Sequence, residues 1–464
     1  MISDYIADKV RSQFPYSPTP QQEEVISELA NFVTTSTVRK AFILKGYAGT
    51  GKTSVVAALV QALGLLGHKT VLLAPTGRAA KVLSSYAHHP AYTIHKKIYR
   101  CQKFGEDHFS LSDNLHSDTI FIVDEASMIA NDTDTTMFGN GHLLDDLVSY
   151  VYSGQGCRLL LLGDSAQLPP VKQEDSPALN AEWMEGYGLS VTSYEMTHVV
   201  RQALQSGIMH NATLLREKIS EGNYHRKFTF HTQGFNDIVH ISGQEMLDEL
   251  QRAYDEVGET DTVVITRSNK RANLYNRGIR NYIMYKEEEL STGDLIMLSR
   301  NNYFWSKDYE GIDFLANGDL LEIQRVRKYH EIYGLRFVDV SLKALDYEWE
   351  IEAGLLLDSL HVESANSTQS YTQQLFQSIA EDYPEVTNRR KLVELVKEDH
   401  HYNALQARFA YAITCHKAQG GQWKRVFIDQ GNVPDDQLDL SYYRWLYTAL
   451  TRATQKVYLV NFPH

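Results

Sequence analysis

The sequence has few cysteines, fewer basic than acidic residues, and no apolar run long enough to cross a bilayer. Its 464 residues include three cysteines, Cys101, Cys157 and Cys415. They are scattered, with no CxxC pair and no metal-ligand spacing, so a reduced intracellular compartment is expected. The opening stretch MISDYIADKVRSQF lacks an apolar core of signal-peptide length. The most apolar stretch, Val55 to Leu66, is broken by Gln61 and is too short for a membrane span. A cytoplasmic protein off the membrane is the expectation. Lys and Arg total 45 against 58 Asp and Glu, a formal net charge of −13. That argues against coating nucleic acid by bulk electrostatics, but leaves room for a narrow basic channel on an acidic body.

What is present is an ordinary globular composition, 43% hydrophobic and 22% charged, on a chain too long for one core. Two to four domains are expected. AFILKG (Ala41 to Gly46), KTVLLAPT (Lys69 to Thr76), TIFIVDEA (Thr119 to Ala126) and RLLLLGD (Arg158 to Asp164) read as strands. Val55 to Leu66 between the first two reads as a helix. Near-continuous apolar strands suit a parallel sheet covered on both faces, and repeated β-α units suit a doubly wound α/β lobe. DTVVITRS (Asp261 to Ser268), KRVFIDQ (Lys424 to Gln430) and KVYLVNF (Lys456 to Phe462) predict a second such lobe. Between them, Thr292 to Leu356 alternates in short glycine-punctuated pieces, the pattern of a small antiparallel barrel inserted into that lobe. Ser364 to Leu405 is polar and helix-prone.

GYAGTGKT (Gly46 to Thr53) matches GxxxxGK[ST] and sits between a strand and a helix, as that motif requires. Gly46, Gly49 and Gly51 let the backbone curl so that its N–H groups face phosphate oxygens. The following helix adds its positive end. Lys52 sets an ammonium against the β- and γ-phosphates, and Thr53 offers a hydroxyl to Mg²⁺. Asp124 and Glu125 follow a strand, at the edge where parallel sheets bind ligands. Asp124 is the second Mg²⁺ residue, and Glu125 the general base that polarises the attacking water. Taken alone, the acidic pair would be a solvated turn; the phosphate loop upstream makes it half of a triphosphate site.

GDSAQLPPV (Gly163 to Val171) then resembles motif III of superfamily 1 helicases. TPQQ (Thr19 to Gln22) resembles the adenine-reading glutamine motif. APTGRAAKVL (Ala74 to Leu83) and TIHK (Thr93 to Lys96) resemble motifs Ia and Ib. VVRQ (Val199 to Gln202), YAITCHKAQGGQW (Tyr411 to Trp423) and LYTALTRA (Leu446 to Ala453) resemble motifs IV, V and VI. The order and spacing, over nearly the whole chain, are similar to the 5′-to-3′ branch that holds RecD-like and Dda-like DNA helicases.

That resemblance implies a P-loop NTPase of two RecA-like lobes, 1–195 for the first and 196–290 with 406–464 for the second. It adds a wedge insertion at about 100–117 and an SH3-like β-barrel with helical extension at 291–405. It implies ATP and Mg²⁺ as the nucleotide and metal. Nucleotide contacts fall on Gln22, on Gly46, Tyr47, Ala48, Gly49, Thr50, Gly51, Lys52, Thr53 and Ser54, and on Gly420. Gln167 senses the γ-phosphate, and Arg201 and Arg452 are arginine fingers from the second lobe, suited by a charge that is always present and a guanidinium that forks onto phosphate. Without the motifs, either arginine would read as a surface ion pair.

The resemblance puts Thr76, Thr93, His95, Thr414, His416 and Lys417 along a single-strand groove, where hydroxyls and imidazoles meet phosphates without reading bases. Phe104 and Phe109 are candidates for a wedge on the last base pair, with a satellite hydrophobic cluster as the equal alternative. Motif II reads DEAS, and Cys415 and Ala418 stand where relatives often carry Val and Ser. The expected activity is ATP-driven 5′-to-3′ translocation and unwinding by a monomer on single-stranded and forked DNA, alongside single-strand-binding or replication and repair proteins. The alternatives are a remodelling ATPase without strand separation, an RNA-directed enzyme, and a small-molecule ATPase.

Overall fold

The structure is a computed structural model. It describes the chain except residues 1, 15, 36, 38, 102–108, 132–140, 201–204, 223, 308, 310, 311, 313, 364 and 464; side chains at 101, 109 and 365–369 are also outside the description. The first lobe carries Lys40–Gly46 (β1), Lys69–Ala74 (β2), Ala91–Thr93 (β3), Tyr99–Cys101 (β4), Phe109–Leu111 (β5), Thr119–Val123 (β6), Arg158–Gly163 (β7) and Ser190–Met196 (β8). Six of them form one sheet in the order β3-β2-β6-β7-β1-β8, and every pairing is parallel. Alternate residues of each strand enter opposite cores. Phe42, Leu44, Ile122 and Leu160 lie in one, with Ala41, Ile43, Phe121 and Leu161 in the other. That two-sided burial is why these strands read as unbroken apolar runs. β4 and β5 pair as a separate antiparallel hairpin.

The sheet order has a chemical consequence. β6, β7 and β1 are neighbours, so Asp124 after β6, Asp164 after β7 and the loop after β1 gather at one carboxyl edge.

Downstream, Ile238–Ile241 (β9) and Thr262–Thr266 (β10) begin a second sheet. Before it is completed the chain builds Leu295–Leu298 (β11), Leu320–Ile332 (β12), Leu335–Ala344 (β13), Glu350–Leu356 (β14) and Ala407–Phe409 (β15). Ala412–Thr414 (β16), Trp423–Asp429 (β17) and Ala453–Val460 (β18) then finish the parallel sheet, in the order β16-β10-β17-β18-β9. The intervening strands form an antiparallel sheet, β14-β13-β12-β11-β15, with register shifts in β12 between Ile323 and Arg325 and between Val326 and Tyr329. Its two edges meet: Leu356 N–H donates to the Leu405 carbonyl at 2.9 Å, and Leu405 N–H to the Gly354 carbonyl at 2.7 Å. The helices Ala365–Glu381 and Arg389–Glu398 cover one end of this sheet through their own apolar cluster.

One hydrophobic core runs through both the second parallel sheet and the antiparallel insert. A buried ion cluster fixes the root of the insert. Arg280 forks onto both Asp294 oxygens at 3.0 Å, while Lys286 and Tyr411 each reach Oδ1 at 3.0 Å. Removing one partner of so buried a charge typically costs about 3–5 kcal/mol, so the cluster ties the insert firmly to the second lobe. The insert also touches the first lobe, where Phe314 is buried in the core beneath β6. Among the described residues, no helix is long and apolar enough to cross a membrane.

Candidate nucleotide and nucleic-acid site

The loop after β1 folds as its glycines require. Gly49 (φ 78°) and Gly51 (φ 79°) are left-handed, a conformation that costs other residues energy. Thr50 closes the turn, donating its N–H (3.3 Å) and hydroxyl (2.9 Å) to the Tyr47 carbonyl. The helix Lys52–Leu65 begins without a side-chain cap, so its first N–H groups stay available to an anion. Lys52 Nζ donates to the carbonyls of Gly46 (3.0 Å) and Gly163 (2.9 Å), the last residues of β1 and β7. Thr53 is half-buried beside it, while Ser54 is exposed.

At the neighbouring strand end, Asp124 Oδ1 accepts from the Glu125 N–H at 2.8 Å. Burial, then the charge of Glu125, pushes the Asp124 carboxyl up to about 6, against the pull of Lys52. Burial also raises Asp164. Two buried carboxylates held off their usual range by desolvation suit a cation. Gln167 is 7% exposed, and its Oε1 has no hydrogen-bond partner; the same holds for Ser127 Oγ. Both residues line a cavity of about 460 Å³ with Asp164 and Ser165. An unpaired buried acceptor costs about 1–3 kcal/mol, which a bound water or hydrated ligand would recover. The loop, the carboxylates and the orphaned amide oxygen therefore fit a magnesium nucleotide.

The other wall of the cleft comes from the second lobe. Tyr447, on the helix Leu440–Leu450, accepts from the Ala48 N–H of the loop at 2.9 Å and donates to Asp164 Oδ2 at 2.7 Å. Leu168 is held at both its backbone groups. Its N–H donates to Thr448 Oγ1 at 2.9 Å, and its carbonyl accepts from Gln419 Nε2 at 2.7 Å. Ala166 and Leu168 are part of the second lobe's core, so the loop carrying Gln167 is gripped from across the cleft. Arg452 is 4% exposed. It donates to the carbonyls of Thr448 (3.1 Å) and Gly421 (3.4 Å), and its Nη1 lies 3.7 Å from Glu125 Oε1.

Tyr447, Thr448 and Gln419 lie inside motifs visible in the sequence, yet no spacing rule singles them out. Only the packing of the two lobes gives them partners. Tyr447→Phe should leave the Ala48 N–H and the Asp164 carboxylate short of a partner. At about 1–3 kcal/mol for an unpaired buried group, the variant should melt a few degrees lower, and strand-stimulated turnover should fall about tenfold. Unchanged steady-state rates would remove the tie from the mechanism.

A second concavity, about 1370 Å³, opens between the second lobe and the insert. Arg267, Lys270, Arg300, Arg408 and Lys417 line it, with Glu363 as the acidic exception and Thr414 and His416 at its wall. Five cations thus line one cavity of a protein with net charge −13. Burial, then Arg408, lowers Lys417 to about 8, and burial lowers His416. On the first lobe, Thr76 caps its helix through the Ala79 N–H (3.2 Å), and Thr93 does the same through the Lys96 N–H (3.2 Å). Thr93 is 3% exposed, and burial lowers His95 to about 4.

Comparison with known proteins agrees with this arrangement. Residues 18–234 match the model of an AAA domain, and residues 409–460 that of the UvrD-like helicase C-terminal domain. The ATP-dependent RecD2 DNA helicase of Deinococcus radiodurans is 30% identical over 193 residues, 41% of this chain and 23% of that protein. The ATP-dependent DNA helicase dda of Enterobacteria phage T4 is 24% identical over 441 residues, 90% of this chain and 93% of that one. The chain is thus similar to superfamily 1 helicases of the 5′-to-3′ branch. Among solved structures, a Bacteroides Pif1 helicase in complex with ADP-AlF3 and single-stranded DNA is 14% identical, with TM-score 0.46, covering 96% of this chain and 93% of that one.

Several of the helicase motif residues have partners within the chain. Gln22 accepts from the Thr19 N–H at 2.9 Å and donates to the Thr50 carbonyl at 3.0 Å, so its amide braces the phosphate loop. Gly420 (φ 72°) packs on the first lobe, where a Cβ would lie 2.9 Å from that of Ala79 and 3.2 Å from Thr76 Oγ1. Its contacts are with motif Ia. Arg201 lies outside the described residues; Val200 before it donates to the Gly49 carbonyl at 2.9 Å. Phe104 lies outside them too, and of Phe109 only the backbone, opposite Cys101, is described. Arg216, which no motif marks, lies over the Tyr47 ring at 4.5 Å.

Proposed function

We propose that this helicase hydrolyses ATP to move 5′ to 3′ along single-stranded DNA and to open duplex ahead of it. One observation carries the reading. A single stretch, Thr414 to Gly421, runs from the cationic cavity to the nucleotide cleft. Thr414, His416 and Lys417 line the cavity, Gln419 holds Leu168 beside Gln167, and the Gly421 carbonyl accepts from Arg452. A change at either site is therefore felt at the other within eight residues of backbone.

In this reading the two parallel-sheet bodies, 1–195 and 196–290 with 406–464, are RecA-like lobes. The insert at 291–405 is an SH3-like barrel with a helical extension, and 100–117 is the wedge that carries Phe104 and Phe109. Gln22 and residues Gly46 to Ser54 bind the nucleotide, and Gly420 approaches it on closure. Lys52 neutralises charge on the β- and γ-phosphates. Glu125 takes a proton from the attacking water, and Gln167 reports the γ-phosphate. Thr53 and Asp124 would hold Mg²⁺, which when bound neutralises charge on the phosphate oxygens. Arg201 and Arg452 favour the closed cleft while the γ-phosphate is present, a differential affinity between two states. Thr76, Thr93, His95, Thr414, His416 and Lys417 hold the strand by its backbone. One cycle need supply only about 1.4 kcal/mol for each base pair parted.

ATP turnover should rise severalfold or more with single-stranded DNA. Forked duplex with a 5′ tail should unwind, and the same fork with a 3′ tail should not. Turnover indifferent to nucleic acid would reject the reading. Stimulation without unwinding would favour a remodelling ATPase, and preference for an RNA strand an RNA-directed enzyme.

A further inference from the structure

The turn joining β13 to β14, Leu345–Trp349, leaves its own sheet and lands on the first lobe. Lys81 Nζ donates to the Leu345 carbonyl and lies 3.8 Å from Asp346 Oδ1. Lys96 Nζ stands 4.1 Å from the centroid of the Tyr347 ring. The Tyr347 hydroxyl abuts Gly77, where any Cβ would overlap it. Gly77 follows Thr76 directly, and Lys96 closes the Thr93–Lys96 motif. The tip thus sits beside the first-lobe segments that carry Thr76, Thr93 and His95, the residues that would meet a strand; Thr93 is buried and His95 half-buried.

The contact is also incompletely satisfied. Tyr347 Oη and Trp349 Nε1 are both buried without a hydrogen-bond partner. The Asp346 side chain is only 6% exposed; Lys81, itself 55% exposed, stands 3.8 Å away, and the Arg78 charge faces it as well. Buried polar groups seldom go without a partner in a permanent contact. Phosphates at the same place would bring more negative charge to Lys81 and Lys96 than one carboxylate does.

We propose that Leu345–Trp349 is an acidic latch over the first-lobe half of the groove, displaced when a single strand takes Lys81 and Lys96 from Asp346 and Tyr347. The inference rests on the reading of that groove as a strand path. A latch lowers apparent affinity by the fraction of molecules found open, so weakening it should tighten binding.

The test uses the full chain without nucleotide and a fluorescein-labelled oligothymidylate, read by anisotropy and stopped flow. Asp346→Asn and Tyr347→Ala should each associate faster and bind about tenfold tighter, equivalent to about 1.4 kcal/mol. Their ATPase without DNA should match the parent's, and Asp346→Asn should also keep the parent's melting temperature. The strand should also shift tryptophan emission in the parent, and Trp349→Phe should lose that shift. Equal or weaker binding by both variants, or emission that does not respond to the strand, overturns the latch while leaving strand binding intact. Failure of the parent and both variants to bind removes the groove reading and the latch with it.

Discussion

Lys52→Ala is expected to lower ATP turnover about a thousandfold or more while the fold survives. The residue sits where β1 and β7 end, its ammonium 3.0 and 2.9 Å from two backbone carbonyls that point it across the mouth of the loop. Those carbonyls are at the edge of the site, so the substitution opens no core cavity and the melting temperature should move little. The loss falls on the transition state, where charge develops on the transferred phosphoryl group. Removing one preorganised donor from such a site costs about 10²–10³ in rate, and a full positive charge should sit at the upper end or beyond. The decisive measurement is single-turnover hydrolysis at saturating ATP. A rate close to that of the parent would end the assignment of Gly46 to Thr53 as the catalytic loop. Lys52→Arg keeps the charge but not the compact ammonium, and should recover only part of the loss.

Arg452→Ala should show a different pattern. Nucleotide binding should persist, while strand-stimulated turnover falls by about 10³, within the 10³–10⁵ attributed to arginine fingers. The guanidinium already lies 3.7 Å from Glu125 across the cleft. It also braces the carbonyls of Thr448 and Gly421, so alanine removes both a charge at the cleft and a clamp on the segment Thr414 to Gly421. Arg452→Lys separates the two. It retains a charge near Glu125 but cannot fork, so basal turnover should recover more than coupling to the strand does. If Arg452→Ala is stimulated by single-stranded DNA as strongly as the parent, the arginine is a structural brace and no finger.

How much of this was legible beforehand depends on the distance over which each feature is decided. β1, β2, β6 and β7 announce themselves because burial on both faces demands uninterrupted apolar residues. The phosphate loop is equally local, its glycines, lysine and threonine all answering to one turn. The insert was visible as a change of texture, although β15 follows the helical segment and pairs back to β11, a long-range pairing that no pattern near Ala407 signals. The roles of side chains at the lobe interface were beyond local reading. Tyr447 and Thr448 looked like ordinary members of an apolar helix, and Gln419 like part of a motif. What sets them apart are partners 250 to 400 positions away in the chain. Gln22 also has partners that its motif does not foretell: a capping box holds one end of its amide and the Thr50 carbonyl the other. Nothing near Gly77 or Lys96 in the sequence foretells that a hairpin from far downstream will pack against them.

The continuous core beneath the second parallel sheet and the insert, with Asp294 pinned at its root, makes those two parts one rigid piece. This piece touches the first lobe at both ends. At one end Tyr447 rests on the phosphate loop, and at the other Tyr347 rests on Gly77. Phe314 and Gly420 also meet the first lobe, and a rigid piece held at several points works as a lever about them. A small rotation about the nucleotide end is magnified at the hairpin tip by the length between them. Nucleotide turnover and access to the groove would then be the two ends of one mechanical element, with no separate signal needed to keep them in step.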